Sequence, residues 1–226
     1  MKRFFVVFLA VFCMAAAFAQ ESGKSPFRLS LGGGGFVAGN FATWSVDKDQ
    51  PGSLYRYNTS DISIAPFLFA DFKYLELSLG LPLGWVNGDD TMSGNENFPA
   101  QTLGLRGSAY IKYPFTLSPM FSLFPLLGID YDLCFLAQKD DDRDAKFPIS
   151  AGNQNAKAMD ALNTLWFKAG IGLDVFFTDN VFLRTELLYG LRLVNEMEKY
   201  LKDTRSDVNW MLPHGGDFKI AIGYRF

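Results

Sequence analysis

The sequence predicts an all-β protein: a closed, eight-stranded, antiparallel up-and-down transmembrane β-barrel with short periplasmic turns and long surface loops. Three features of the 226 residues predict it. Apolar side chains alternate with small or polar ones along segments long enough to cross a bilayer at a tilt. The connections between these segments are alternately short and long. After the amino-terminal segment, no stretch has the roughly 18 consecutive apolar residues of a membrane helix.

The amino terminus has the pattern of a secretory signal peptide. Lys2 and Arg3 precede an apolar run over residues 4–18, and Ala17 and Ala19 form a small-x-small cleavage site. This pattern predicts that residues 1–19 are cleaved and that residues 20–226 form one barrel domain. Cleavage would leave Cys134 as the single cysteine, so the sequence predicts no internal disulfide.

Eight segments show the period of two that is typical of strands with one apolar face. They lie near residues 27–39, 61–71, 74–86, 102–113, 120–135, 164–177, 181–194 and 217–226. In the third, leucines and Trp85 occupy every odd position from Leu75, while the even positions carry Glu76, Ser78, Gly80, Pro82 and Gly84. The sixth and seventh repeat this division, with Lys168, Asp174, Arg184 and Glu186 on the polar face.

The last strand shows the alternation most clearly. Its sequence is FKIAIGYRF, and one face carries Phe218, Ile220, Ile222, Tyr224 and Phe226. The other face carries Lys219, Ala221, Gly223 and Arg225, a set that suits a crowded polar interior. Taken by itself, this segment is equally compatible with an edge strand of a soluble sandwich.

The lengths of the connections favour a membrane barrel over a sandwich. Residues 71–73, 114–119 and 178–180 are short turns, whereas 40–60, 87–101, 136–163 and 195–216 are long and polar. Short periplasmic turns opposite long surface loops are the layout of an outer-membrane barrel. In lipid every backbone donor needs a partner, so the first and last strands are expected to pair and close the sheet.

The inward faces carry two kinds of residue that bear on function. An aromatic set at the turn end comprises Phe67, Phe69, Phe124, Phe176 and Phe182. A charged set in the middle comprises Glu76, Arg106, Asp130, Asp132, Lys168, Arg184, Glu186 and Lys219. Since an eight-stranded barrel is just wide enough for side chains to fill, the sequence predicts salt bridges and a plugged lumen. The alternative is a narrow conduit lined by the same charges.

Enzymatic and metal chemistry find little support in the sequence. The single histidine, His214, is predicted in a loop, with Asp217 as its nearest orienting carboxylate and Ser206 as a weak nucleophile candidate. Residues 140–144 are rich in aspartate, but interleaved basic residues and the spacing indicate a solvated loop rather than a calcium site. We therefore expect no catalytic, metal or cofactor site. The 21 basic and 24 acidic residues also argue against a nucleic-acid partner.

The predicted loops supply candidate contacts for a partner. Aromatic residues stand out in the first and last loops: Trp44, Tyr55, Tyr57 and Trp210. Exposed aromatic residues on a rigid scaffold are typical of binding surfaces. Alternatively, they extend the aromatic belt of the barrel or pack across its mouth.

The signal peptide, the eight alternating strands, the long loops and the terminal FKIAIGYRF together resemble small bacterial outer-membrane proteins of the OmpX, OmpA-barrel and OmpW kind. The resemblance implies insertion among outer-membrane lipids by the barrel-assembly machinery, which would read Phe218, Ile220, Ile222, Tyr224 and Phe226 as its signal. It implies a non-enzymatic protein with a structural or surface-interaction role through its extracellular loops. The alternative that it implies is an OmpW-like channel or conduit for small or apolar solutes.

Overall fold

The computed structural model describes residues 29–47, 54–88, 100–139, 163–195 and 208–226. The predicted signal peptide lies outside these ranges. The described part contains β-strands and no helix that is long and apolar enough to cross a membrane. The strands are β1 Ser30–Asp47, β2 Leu54–Asp71, β3 Leu75–Gly80, β4 Leu83–Gly88, β5 Ala100–Lys112, β6 Phe115–Ser118, β7 Phe121–Lys139, β8 Thr164–Phe176, β9 Val181–Asn195 and β10 Val208–Arg225.

The strands form one closed antiparallel sheet. Consecutive strands pair around the wall, and β10 returns to pair with β1. Strands β3 and β4 both lie between β2 and β5, so together they make one wall position. The short β6 continues the edge of β5 beside β7. The predicted eight-stranded up-and-down barrel is therefore confirmed.

The register fixes the stagger of the barrel. Paired residues can be followed once around the wall, starting at Phe121 of β7 and passing through β8, β9, β10, β1, β2, β3 and β5. The path returns to β7 at Tyr131. The return point is displaced by 131 minus 121, or ten residues. Such a stagger requires tilted strands, typically by about 35–45° from the barrel axis.

The third wall position is interrupted where the sequence predicts an unbroken strand. Proline has no N–H to donate to a ladder, and Pro82 separates β3 from β4. The neighbouring backbone groups still find partners. The Leu81 N–H donates to the Pro66 carbonyl at 3.1 Å, and the Gly104 N–H donates to the Pro82 carbonyl at 3.0 Å. The wall is therefore continuous despite the break.

Two of the predicted loops are wrong, because strand pairing continues well beyond them. Strand β1 runs on to Asp47 and β2 begins at Leu54, so most of the predicted loop 40–60 is sheet. Strand β10 begins at Val208, inside the predicted loop 195–216. The prediction ended each strand where a bilayer crossing was complete. Backbone pairing has no such limit and continues wherever the neighbouring chain stays extended.

Candidate functional site

The interior of the barrel is filled by side chains from every wall position. At the turn end, Phe67, Phe69, Phe176 and Phe182 are buried together with Phe36, which the sequence analysis did not single out. The ring centroids of Phe176 and Phe182 are 5.3 Å apart, and those of Phe69 and Phe182 are 6.3 Å apart. We call these five rings the aromatic plug. Phe124 lies in the adjoining layer, against Tyr110, Leu126 and Leu188.

Glycines on the inward face make room for these rings. A Cβ atom on Gly223 would lie 2.3 Å from the Phe182 ring, and one on Gly32 would lie 2.4 Å from the Phe69 ring. Contacts this short are not tolerated by real Cβ atoms, so any larger residue would displace the rings. The inward glycines that the sequence offers as small residues are therefore part of how the plug packs.

Arg184 is the centre of a charged cluster on the turn side of the lumen. Its guanidinium donates to both oxygens of Asp174, at 2.7 and 2.8 Å, and to Glu76 and Asp71, each at 2.6 Å. The Lys112 ammonium donates to Asp71 and lies 3.7 Å from Glu76 Oε2. We call Asp71, Glu76, Lys112, Asp174 and Arg184 the turn-side cluster. Bidentate pairing of this kind fixes the orientation of the guanidinium as well as its charge.

Aromatic rings surround the same guanidinium. The Arg184 Cζ lies 4.7 Å from the centroid of Phe69, 5.0 Å from that of Phe124 and 5.1 Å from that of Phe182. Cations are attracted to the electron-rich faces of aromatic rings at these distances. Rings of the aromatic plug therefore contact the guanidinium at the centre of the turn-side cluster, and the two sets form one packed unit.

A second charged cluster lies towards the loops. Arg106 donates to Asp132 at 2.5 and 2.9 Å and to Asp217 at 3.2 Å. Lys168 lies 2.5 Å from Asp217 and 2.9 Å from Asp130. The Tyr110 hydroxyl donates to Asp130 at 2.5 Å. The members of this loop-side cluster are Arg106, Tyr110, Asp130, Asp132, Lys168 and Asp217.

Glu186 and Lys219 lie between the two clusters. The Lys219 Nζ is 3.6 Å from Glu186 Oε2, and both side chains are about 2 % exposed or less. Neither carboxylate oxygen of Glu186 nor the Lys219 ammonium has a hydrogen-bond partner among the described residues. The ammonium faces the Tyr110 ring at 4.6 Å. This buried pair is therefore held without a hydrogen bond from the described residues.

The structure places all eight members of the predicted lumen charge set inside the barrel. It adds partners that the sequence analysis did not group with them: Asp61, Asp71, Lys112, Asp174, Arg192 and Asp217. Three of these residues lie at inward positions of predicted strands: Lys112, Asp174 and Arg192. The alternation of inward and outward side chains, which we call parity, could therefore have selected them. Asp61 and Asp217 begin predicted strands and also fall on their inward faces, whereas Asp71 lies at the boundary between a predicted strand and a predicted turn.

His214 and Asp217 illustrate a wrong prediction. His214 lies in β10 rather than in a loop, with Phe41 and Leu191 as its backbone partners. Asp217 is three residues further along the same strand, so its side chain points to the other face. It binds Lys168 and Arg106 inside the lumen and cannot orient the histidine. Ser206 and the aspartates of residues 140–144 lie outside the described residues.

The predicted loop aromatics lie in strands as well, which corrects their assignment to loops. Trp44 is opposite Tyr57 in the pairing of β1 with β2, and Val46 is opposite Tyr55. Ser45 is opposite Trp210 in the pairing of β1 with β10. The backbone thus brings Trp44, Tyr55, Tyr57 and Trp210 onto three adjacent strands, a proximity that their separation in sequence conceals.

The outer surface of the barrel is apolar. The last strand exposes Phe218, Ile220, Ile222, Tyr224 and Phe226, and the other strands contribute similar residues all around the wall. In a closed sheet every backbone group has a partner, which removes the main cost of contact with hydrocarbon. A closed sheet that is apolar outside and charged inside is the architecture of outer-membrane barrels. The protein is a transmembrane β-barrel of the outer-membrane type.

Several solved structures are similar to this barrel. The outer membrane protein OprG from Pseudomonas aeruginosa is 13% identical, with a TM-score of 0.47, and the match covers 88% of this chain and 96% of OprG. The attachment invasion locus protein Ail of Yersinia pestis is 11% identical, with a TM-score of 0.32, covering 86% of this chain and 99% of Ail. Neisserial surface protein A is 13% identical, with a TM-score of 0.32, and the match covers 85% of this chain and 97% of that protein. No family model and no curated protein matches the sequence.

Proposed function

We propose that this outer-membrane barrel is non-enzymatic, that its lumen is closed to solutes, and that it acts through its extracellular surface. The observation that supports a closed lumen is the depth of packing inside. Trp166, Lys168 and Phe182 are 0 % exposed and Arg184 is 2 % exposed, although they come from different heights of the barrel. Eight strands leave no room for a water path beside side chains packed in this way.

The extended strands support the surface role. Strand β1 has 18 residues, which at a rise of about 2.6 Å per residue along a tilted barrel span about 45 Å. The apolar band of such a barrel is only about 25 Å tall. The end of β1 therefore projects about 20 Å beyond the band, with β2 and β10 beside it. We propose that Trp44, Tyr55, Tyr57 and Trp210 on this projecting wall contact an extracellular ligand.

Single-channel recording in planar bilayers tests the closed lumen. The barrel is first shown to be folded by its heat-modifiable mobility in gels, and it is then inserted at low protein density. We expect no discrete conductance steps above the empty bilayer. Regular steps whose ion selectivity changes with lumen substitutions would instead establish a channel.

The second candidate function is a narrow conduit that opens when the charged clusters move. It is favoured by Glu186 and Lys219, which lie between the clusters without hydrogen bonds. Glu76→Ala and Arg106→Ala test it, because each breaks one cluster and leaves the wall intact. A sharp rise in conductance for either variant, with none for Ile222→Ala on the lipid face, would identify the ion pairs as a gate.

The roles of the two ends of the chain are also proposals. We propose that the outward row of β10, ending at Phe226, is read by the barrel-assembly machinery. Phe226→Ser is expected to reduce the folded fraction in cells, while refolding into detergent stays near normal.

Residues 1–19 are proposed to be removed on export, so the amino-terminal sequence of the protein recovered from membranes should begin at Gln20.

A further inference from the structure

His214 occupies an unusual position on the outer surface of the barrel. It lies four residues before the exposed Phe218 in β10, on the same face of the strand. Its Nδ1 is 3.1 Å from the Tyr189 hydroxyl. Its ring lies between those of Phe41 and Tyr189, with centroids 5.9 and 6.0 Å away. The single histidine of the chain therefore faces the membrane and not the lumen.

The height of His214 places it at a membrane interface. Tyr224 lies on the same outward row of β10, near the turn end, where interfacial aromatic residues are expected. The two residues are separated by 224 minus 214, or ten positions, which correspond to about 26 Å along the barrel axis. Because the apolar band is about 25 Å tall, His214 lies at the level of the headgroups on the loop side.

Nε2 is the imidazole nitrogen that the hydrogen bond to Tyr189 leaves available to a ligand. In the tautomer whose Nδ1 accepts the Tyr189 proton, Nε2 carries a hydrogen and is a donor. No described residue accepts a hydrogen bond from Nε2. Its outward neighbours Leu191 and Gly216 are uncharged, so no described carboxylate competes for this position.

We propose that His214, held by Tyr189 and Phe41, binds the phosphate group of a lipid in the outer leaflet. Phosphate oxygens lie at the level of the headgroups, which is also the level of the Nε2–H group. They are strong acceptors, because hydrogen bonds to ionised acceptors are stronger than those to neutral ones. The exposed rings of Phe41, opposite His214, and of Tyr189, opposite Gly216, flank the imidazole on the outer surface.

Native mass spectrometry of the folded barrel in detergent micelles tests this site, with dioleoylphosphatidylglycerol as the probe. We expect saturable binding that weakens by at least about tenfold in His214→Phe, which keeps an aromatic ring and removes the N–H donor. His214→Arg should retain binding, because it restores a phosphate donor. Leu68→Ile, on the lipid face of β2 near the turn end, serves as the matched control and should bind as the native protein does.

Dioleoylglycerol, which has the same chains and ester groups without a phosphate, separates phosphate recognition from ester recognition. Binding of dioleoylglycerol as tightly as of the phospholipid would overturn the proposal, and so would unchanged affinity in folded His214→Phe. Loss of binding in folded His214→Arg would also count against it, since the site would then depend on ring packing. None of these results depends on whether the lumen conducts.

Discussion

Replacing Arg184 by Met is expected to be among the most damaging single changes inside the barrel. The substitution roughly conserves volume and removes the cation that is hydrogen-bonded to Asp71, Glu76 and Asp174. Lys112 remains as a partner for Asp71 and Glu76. In the described lumen Asp174 keeps no cation within salt-bridge distance.

The magnitude follows from the geometry of the pairing. Removing one partner of a buried ion pair costs about 3–5 kcal/mol, because the other charge is left in a low-dielectric site. Arg184 makes four hydrogen bonds of 2.6 to 2.8 Å, and its side chain is only 2% exposed. We therefore expect the Arg184→Met variant to lose about 4 kcal/mol of unfolding free energy. The double variant Arg184→Met with Asp174→Asn should recover about half of this loss.

Urea unfolding in phospholipid vesicles measures the effect, with tryptophan fluorescence and heat-modifiable gel mobility as independent probes. Arg192→Met is the matched control, because the Arg192 side chain is 12% exposed and lies 4.0 Å from Asp61. A partly exposed pair at that distance contributes about 1 kcal/mol or less. A loss below about 1 kcal/mol for Arg184→Met, or equal losses for the two variants, would refute the central role of Arg184.

Three further outcomes are expected in the same unfolding assay. Gly223→Val should sharply reduce the folded yield, because even its Cβ would lie 2.3 Å from the Phe182 ring, while Gly39→Val should fold, since no atom lies within 4 Å of its Cβ position. Phe182→Ala should cost about 3–5 kcal/mol through the cavity that it leaves, and a loss under 1 kcal/mol would argue against a packed plug. Tyr110→Phe should cost about 1–3 kcal/mol by removing the hydrogen bond to Asp130, and an unchanged midpoint would show that this bond contributes nothing.

The closed barrel could be predicted because membrane and lumen impose opposite demands on successive residues of each strand. The alternation at Leu77, Leu79, Leu83 and Trp85 is visible in the sequence, and it needs no knowledge of which strands pair. The inward position of Glu76 followed from the same parity. Parity thus predicts which way a side chain points, and it holds wherever the strand assignment is right.

Partner identity could not be predicted in this way. The contacts of Arg184 with Asp71 and Glu76 join residues 113 and 108 positions apart, and they depend on the stagger of the closed sheet. The extension of β1 to Asp47 depends on continued pairing with β2, which local composition does not reveal. The outward position of His214 was hidden by the same error, because assigning it to a loop discarded the parity that places it on the lipid face.

The contacts between the aromatic plug and the turn-side cluster have a consequence for any opening of the lumen. Phe69 and Phe182 contact each other within the plug, and both also face the Arg184 guanidinium. Moving either ring would therefore expose the guanidinium and weaken its carboxylate contacts at the same time. The pair of Glu186 and Lys219 has no hydrogen bond among the described residues, and the Lys219 ammonium meets the rings of Tyr110 and Phe67 at 4.6 and 5.8 Å. If the lumen ever conducts, its first rearrangement is expected at this pair, with the plug yielding last.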